Sequence, residues 1–427
     1  IKASFPNGMV STSMQGGCYC ENCNLLRIGT GNVELAALFA PRPQAMTAAD
    51  DWTRDMMQDG YPQLQWLYAM IGNEDDVYCR PMLHFKHNYN YVTRATMYQW
   101  MNRHLELGLD DPVIEQDFRP LCEEETSVWS ESHPLPGIKG PDHERAVCRW
   151  FDQQSRRNRQ ALLPDDEVSL NEFRRLLGGA WSVIFDQGSP TDIDYESVGQ
   201  SQMDDIILDR GLIRDLKRQA EIPLLTLSRK NSEAQDTLIW TSANGKDDAF
   251  DTSGNPTALL SRLLARDFRI MLPDLLGQGE WGGGVRLGEQ RLVDDERSYS
   301  AFTLGYNRTL AAERYADLMS VVAHARGNSD SANPADREVA LLATPGTASW
   351  AAPAASLSGN TVARAAIVTS GFRFADAESF RDGHFVPGSV KYGDLPGLLS
   401  LRAPNPLLLI GESSPNSLIQ QVYAAAD

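Results

Sequence analysis

Asp50, Asp51 and His87 are the side chains whose types and spacing could do chemistry. Each follows a run that reads as a strand, over residues 42–47 and 77–85. In open α/β sheets, sites form at the carboxyl ends of the strands. A carboxylate after one strand and a histidine after the next reproduce the second half of a triad order: nucleophile, acid, histidine. The carboxylate would accept a hydrogen bond from the imidazole, fix its tautomer and stabilise the imidazolium. The histidine would act as general base toward a nucleophile and then as general acid toward the leaving group. Plainer roles compete. Two aspartates before Trp52 also suit a turn or a helix cap, and a histidine beside Asn88 and Tyr89 also suits a hydrogen-bonded surface residue. Asp51 is the first choice of acid and Asp50 the fallback. His84 competes with His87, but its phase in the strand assigns it to pairing with the sheet.

The third member would be a Ser, Cys or Asp on a strand-to-helix elbow of the G-x-S-x-G type. Nothing between Ile1 and Asp50 fits. Ser11 and Ser13 lack the glycine pattern, and no helix clearly begins at Cys18, although Gly16-Gly17 precedes it. The expectation is therefore a nucleophile upstream of Ile1. A second elbow does occur, with a strand over 338–343, the turn Thr344-Pro-Gly346-Thr347-Ala348 and then a helix. Its apex is near Gly346, which carries no nucleophile, and Thr344, Thr347 and Ser349 are off the apex. Glu412 mimics an acid after the strand 406–410, but no histidine follows it; His384 comes earlier. This elbow reads as degenerate.

Other motifs are weaker. Cys20-x-x-Cys23, beside Cys18, has the spacing of a zinc ribbon, but Cys79, Cys122 and Cys148 stand singly and supply no second pair. The expectation is no metal and no cofactor. Disulfides or buried thiols remain open, and six cysteines in a chain this large do not settle the redox compartment. Gly277-Gln-Gly279-Glu280 and Gly282-Gly-Gly284 lack the order of a dinucleotide fingerprint, and Asn244-Gly245-Lys246 lacks P-loop spacing.

The elements that must position these residues alternate between strand and helix in two regions. In the first, strands over 1–10, 42–47 and 77–85 alternate with helices over 32–39, 63–71 and 93–109. Residues 111–165 are rich in Pro and charge and read as loop. Residues 166–220 read as mostly helical, with Ser169-Leu-Asn-Glu172 resembling a capping box. The second region has strands over 237–241, 268–272, 338–343, 365–369 and 406–410. Alternation of this kind predicts parallel sheets with helices on their faces. The composition agrees: 42% hydrophobic and 22% charged residues over 427 positions describe a globular chain. The net charge of −18 argues against a nucleic-acid partner. No apolar run reaches the ~18–20 residues that span a bilayer.

The motifs Met14-Gln-Gly-Gly-Cys18, Cys20-Glu-Asn22, Leu26-Arg27, Asn32-Val-Glu34, Ala36-Ala-Leu-Phe-Ala-Pro-Arg-Pro43, Ala49-Asp-Asp-Trp-Thr53 and His87-Asn-Tyr-Asn-Tyr-Val92 together resemble bacterial acetyl-xylan-esterase-like α/β hydrolases. More narrowly, the chain resembles large members with a second hydrolase-like domain. The match is dense over 1–110. It is looser over 221–427, where Gly245-Lys246, Asp274, Gly277-Gln-Gly-Glu280, Tyr306-Asn-Arg-Thr-Leu310, Trp350 and Lys391-Tyr-Gly-Asp-Leu-Pro396 carry it. The resemblance implies two tandem α/β-hydrolase-type units of mostly parallel sheet flanked by helices, the first lacking its N-terminal half. Residues 1–110 would be the C-terminal half of a catalytic domain, 111–220 a connector, and 221–427 a degenerate second domain. It also implies Asp51 as triad acid, His87 as triad base, no cofactor, and an acetylated polysaccharide or small ester as substrate. It places the protein in the periplasm or outside the cell. A hydrolase domain of roughly 200–250 residues cannot be completed by 110. An open sheet edge near residues 1–10 is therefore expected, or a missing N-terminal segment or partner chain filling it. The alternative is a non-catalytic scaffold or assembly subunit on the same fold.

Overall fold

The structure is a computed structural model that describes residues 1–12, 23–185, 190–231, 236–281, 287–290, 292–293, 303–327 and 338–426. The motifs at Met14–Asn22 and Gly282–Gly284 lie outside these residues, as do Ser13, Cys18 and Cys20. The chain divides into two compact units, Ile1–Lys139 with Val293–Asn307, and Gly140–Leu292 with Arg308–Asp427.

In the first unit, β1 (Gln44–Ala48) and β2 (Val77–Pro81) pair in parallel, from Gln44 against Val77 to Ala48 against Pro81. Every residue of β1 is buried, as befits a strand with both faces covered. α1 (Asn32–Ala37) and α2 (Tyr61–Met70) contribute Val33, Tyr61, Leu64 and Tyr68 to a core that also holds Met46, Met56 and Val77. α3 (Tyr91–Leu105) buries Thr93, Thr96 and Trp100, and Arg80 of β2 donates to Thr96 Oγ1 at 3.1 Å.

Residues 1–10, expected as a strand, run beside β1 but bridge it only at Ser4–Gln44 and Asn7–Thr47. Ser4 N–H and Gly8 N–H donate to Pro43 and Thr47 carbonyls on the β1 side. In the same alternation Pro6 would supply the intervening inward N–H, and it has none. That missing donor breaks the ladder between the two bridges. Among the described residues no strand pairs with the outer side of this segment. The unit is also discontinuous in sequence. Leu25 and Arg27 N–H donate to Leu304 and Gly305 carbonyls at 2.6 and 2.8 Å, and the Arg27 guanidinium lies over the Tyr306 ring.

The second unit is built on an eight-stranded sheet in the order β10-β9-β8-β6-β7-β5-β4-β3. Strands β6 (Thr237–Thr241), β7 (Arg269–Pro273), β8 (Val339–Ala343), β9 (Arg364–Val368) and β10 (Leu407–Ile410) are parallel. β5 (Ala220–Arg229) joins them antiparallel through β7, and β4 (Ile206–Asp215) and β3 (Ile193–Met203) extend that edge as a hairpin. Leu238, Trp240, Ile270, Leu272 and Ala340 pack with Leu260 and Leu264 of the Ala258–Leu264 helix. The Leu310–Gly327 and Ala348–Leu357 helices are buried along most of their length. This is a mostly parallel sheet flanked by helices.

Three local readings change. Residues 193–215 form strands, not helix: β3 and β4 meet in a two-residue turn at Asp204-Asp205, with Asp204 at φ 52°. Residues 140–161, expected as loop, form the Gly140–Ala161 helix, in which no residue is buried. The capping aspartate is Asp166, whose Oδ1 accepts from Ser169 N–H; Ser169 is the third helical residue and not the cap.

Candidate active site

The loops leaving β1 and β2 are tied together. Met82 N–H donates to Ala48 O at 2.7 Å, and Asp50 N–H to Phe85 O at 2.8 Å. The Asp51 carboxylate then has two separate duties. Its Oδ1 accepts from Thr53 N–H at 2.7 Å and from Thr53 Oγ1 at 2.6 Å, while Oδ2 faces His87 Nδ1 at 2.9 Å. The Asp51 side chain is 6% exposed and that of His87 is 47% exposed. A buried acid thus backs an imidazole that opens to solvent, and among the described residues His87 Nε2 has no hydrogen-bond partner. The loop beyond is fixed by Asn90, which caps α3 by accepting from Val92 and Thr93 N–H. This arrangement can take a proton at Nε2 while the carboxylate steadies the resulting charge.

Asp50, the fallback acid, points elsewhere and pairs with Lys86 and Arg54. His84 lies beyond the end of β2, exposed and packed on the Phe85 ring; it does not pair with the sheet as expected. Three neighbours of the pair went unread in the sequence. Thr53 holds the acid, Trp52 lies against the His87 ring with centroids 4.5 Å apart, and Gly8 backs the imidazole, a Cβ built there lying 3.4 Å from Nδ1. A threonine two residues after an aspartate is a signal for the first.

The second unit offers a contrasting set. Gly346, at φ 82°, stands on the turn between β8 and the Ala348–Leu357 helix. Ser349, fully buried on that helix, contacts His384 Nδ1 at 2.8 Å. Burial holds the His384 pKa below the ordinary histidine value. Glu412 after β10 accepts from Arg373 Nη2 at 2.6 Å and Thr369 Oγ1 at 2.5 Å, and the Arg373 hydrogen bond holds its pKa low. The Gly277–Glu280 turn wraps an internal carboxylate. Buried Asp274 accepts from Lys246 and Glu280 N–H at 2.8 and 2.9 Å, and a Cβ at Gly245 or Gly279 would come within 2.1 or 2.2 Å of it. These glycines make room for Asp274, which leaves no phosphate cradle there. Among the described residues no group of three or more His, Cys, Asp or Glu is placed to hold a metal ion. Among the described residues no helix is long and apolar enough to cross a membrane.

No family model matches the chain, and no curated protein matches it. Solved structures do. A protein named as an acetyl xylan esterase, from Bacteroides fragilis, aligns at 13% identity over 70% of this chain and 82% of its own, with a TM-score of 0.45. A glucuronoyl esterase from Solibacter usitatus aligns at 11% identity over 61% and 82%, with a TM-score of 0.39. An esterase of carbohydrate esterase family 15 from a marine bacterial metagenome aligns at 12% over 61% and 81%, also with a TM-score of 0.39. All three likenesses are at low identity.

Proposed function

We propose that this protein is a serine-type carboxylic ester hydrolase acting on an acylated carbohydrate, such as an acetylated polysaccharide, or on a small ester. The observation that carries the reading is the 2.9 Å contact between Asp51 Oδ2 and His87 Nδ1 at the carboxyl ends of two adjacent parallel strands. Asp51 orients His87, and His87 takes the proton of a serine hydroxyl as its oxygen attacks the ester carbonyl. The same proton then passes to the departing alcohol, and water completes hydrolysis of the acyl-enzyme by the same route. The serine is supplied by an elbow outside residues 1–427, on a segment that adds to the outer edge of residues 3–7. The second unit is a non-catalytic hydrolase relative. Consistent with the resemblance, the protein works in the periplasm or outside the cell.

A fluorophosphonate probe on native material tests this. Stoichiometric labelling of a serine outside residues 1–427 is expected. Turnover of p-nitrophenyl acetate by that material should fall by on the order of 10⁴-fold or more in His87→Ala, and unchanged turnover removes His87 from the mechanism. A second reading, a scaffold without chemistry, is favoured by Gly346 at the elbow of the second unit. Absence of labelling on native material supports it.

A further inference from the structure

His87 is held by more than its acid. Its imidazole meets two neighbours, the Trp52 ring at 4.5 Å between centroids and tilted by 35°, and Gly8. Gly8 has φ 63°, and a Cβ built there would lie 3.4 Å from Nδ1, 3.5 Å from Cε1 and 3.8 Å from Asp51 Oδ2. Each neighbour is anchored. Gly8 N–H donates to the β1 carbonyl of Thr47 at 3.2 Å, and the hydroxyl of fully buried Ser11 donates to the carbonyl of Trp52. A single hydrogen bond to Asp51 leaves the ring free to swing about it. Contacts with Trp52 and with Gly8 restrict that freedom.

We infer that Trp52 and the strap of residues 8–11 are positioning residues that lock the His87 ring in the tautomer with the proton on Nδ1 and Nε2 bare. The inference rests on the proposed role of the Asp51–His87 pair but concerns how the pair is held. A half-exposed imidazole otherwise exchanges between tautomers and rotamers, and a base whose accepting nitrogen carries the proton half the time is misaligned by that fraction.

The test is the imidazole ¹⁵N spectrum of the full chain labelled at histidine, recorded at alkaline pH, with the His87 signals assigned by their loss in His87→Gln. The wild type is expected to show widely split Nδ1 and Nε2 shifts, the mark of one tautomer. Trp52→Leu is expected to draw the two shifts together by a third or more of their separation while the other six histidines stay in place. Trp52→Phe, which keeps a flat ring, restores the splitting, and Ser11→Ala gives an intermediate value. Unchanged His87 shifts in Trp52→Leu overturn the inference. If that variant does not fold, as judged by the other histidines, unchanged shifts in Ser11→Ala overturn it. The two readings fail separately. A Trp-dependent splitting without any labelled serine sustains the clamp and removes the esterase. A labelled serine with a Trp-independent splitting does the reverse.

Discussion

The two units place an acid and a histidine in comparable settings and treat them oppositely. In the first, Asp51 gives one oxygen to Thr53 and keeps the other for His87, whose ring opens to solvent. In the second, Glu412 spends both oxygens on Arg373 and Thr369, half-buried His384 contacts Ser349, and the elbow carries Gly346. A carboxylate can serve as a triad acid only where it is left free to hold a histidine. An arginine within hydrogen-bond distance turns it into a brace.

The largest expected effect separates the two acids. Asp51→Asn should lower ester turnover by about 10⁴-fold with little loss of folding, because the amide cannot hold the required tautomer. Asp50→Asn, one residue away, should change turnover by less than about threefold, since its partners are the surface groups Lys86 and Arg54. Steady-state kinetics on native-length protein checks both. A large loss from Asp50 would reverse the assignment.

The next effect concerns buried histidines. Burial lowers the His324 pKa to about 4, against the ordinary 6.5. The unfolded chain takes up a proton there below about pH 6.5, while the folded chain does so only below about 4. Stability from this group is therefore complete above pH 6.5 and declines as pH falls to 4, by about 3 kcal/mol in all. Asp317, raised to about 6 by burial, pulls the other way between its unfolded value and pH 6. Denaturant melts of wild type and His324→Phe across pH 4–7 isolate the histidine, and the variant should lose that acid-side decline.

A smaller effect tests the brace. Glu412→Gln should destabilise the chain by about 1–3 kcal/mol by leaving Arg373 without its charged partner, with turnover unchanged. A loss of turnover at constant stability would make Glu412 catalytic. The smallest is a null result. Gly346→Ser should gain no fluorophosphonate labelling, because neither Glu412 nor His384 is free to activate it.

The legible parts of the sequence were those in which side-chain chemistry and strand periodicity coincided. β1 is a short buried run, β2 buries Val77 and Cys79 in alternation, and both are followed by polar loops, so Asp51 and His87 could be placed after them. The β3–β4 hairpin was not legible as strand, because its outer strand is exposed and charged and its turn is Asp204-Asp205, not the Asn-Gly or Asp-Gly pair that advertises a hairpin. The Gly140–Ala161 helix is amphipathic, but it lies in a stretch rich in Pro and charge and buries no residue, so it did not stand out from the loop around it. The strand expected over 1–10 overlooked Pro6, whose lack of an N–H decides how much of it can pair. Trp52 and Gly8 could not be tied to His87 from spacing, since the contact depends on two loops and a strap converging.

The discontinuity of the first unit bears on how the protein is made. Leu25 and Arg27 bond to carbonyls of Leu304 and Gly305, so their partners are not yet synthesised when Lys139 leaves the ribosome. At about 5–20 residues per second, those roughly 165 residues take on the order of ten to thirty seconds. During that interval the N-terminal loop has no native partner for these two amides, and the unit that carries Asp51 and His87 is completed only after much of the second unit has emerged.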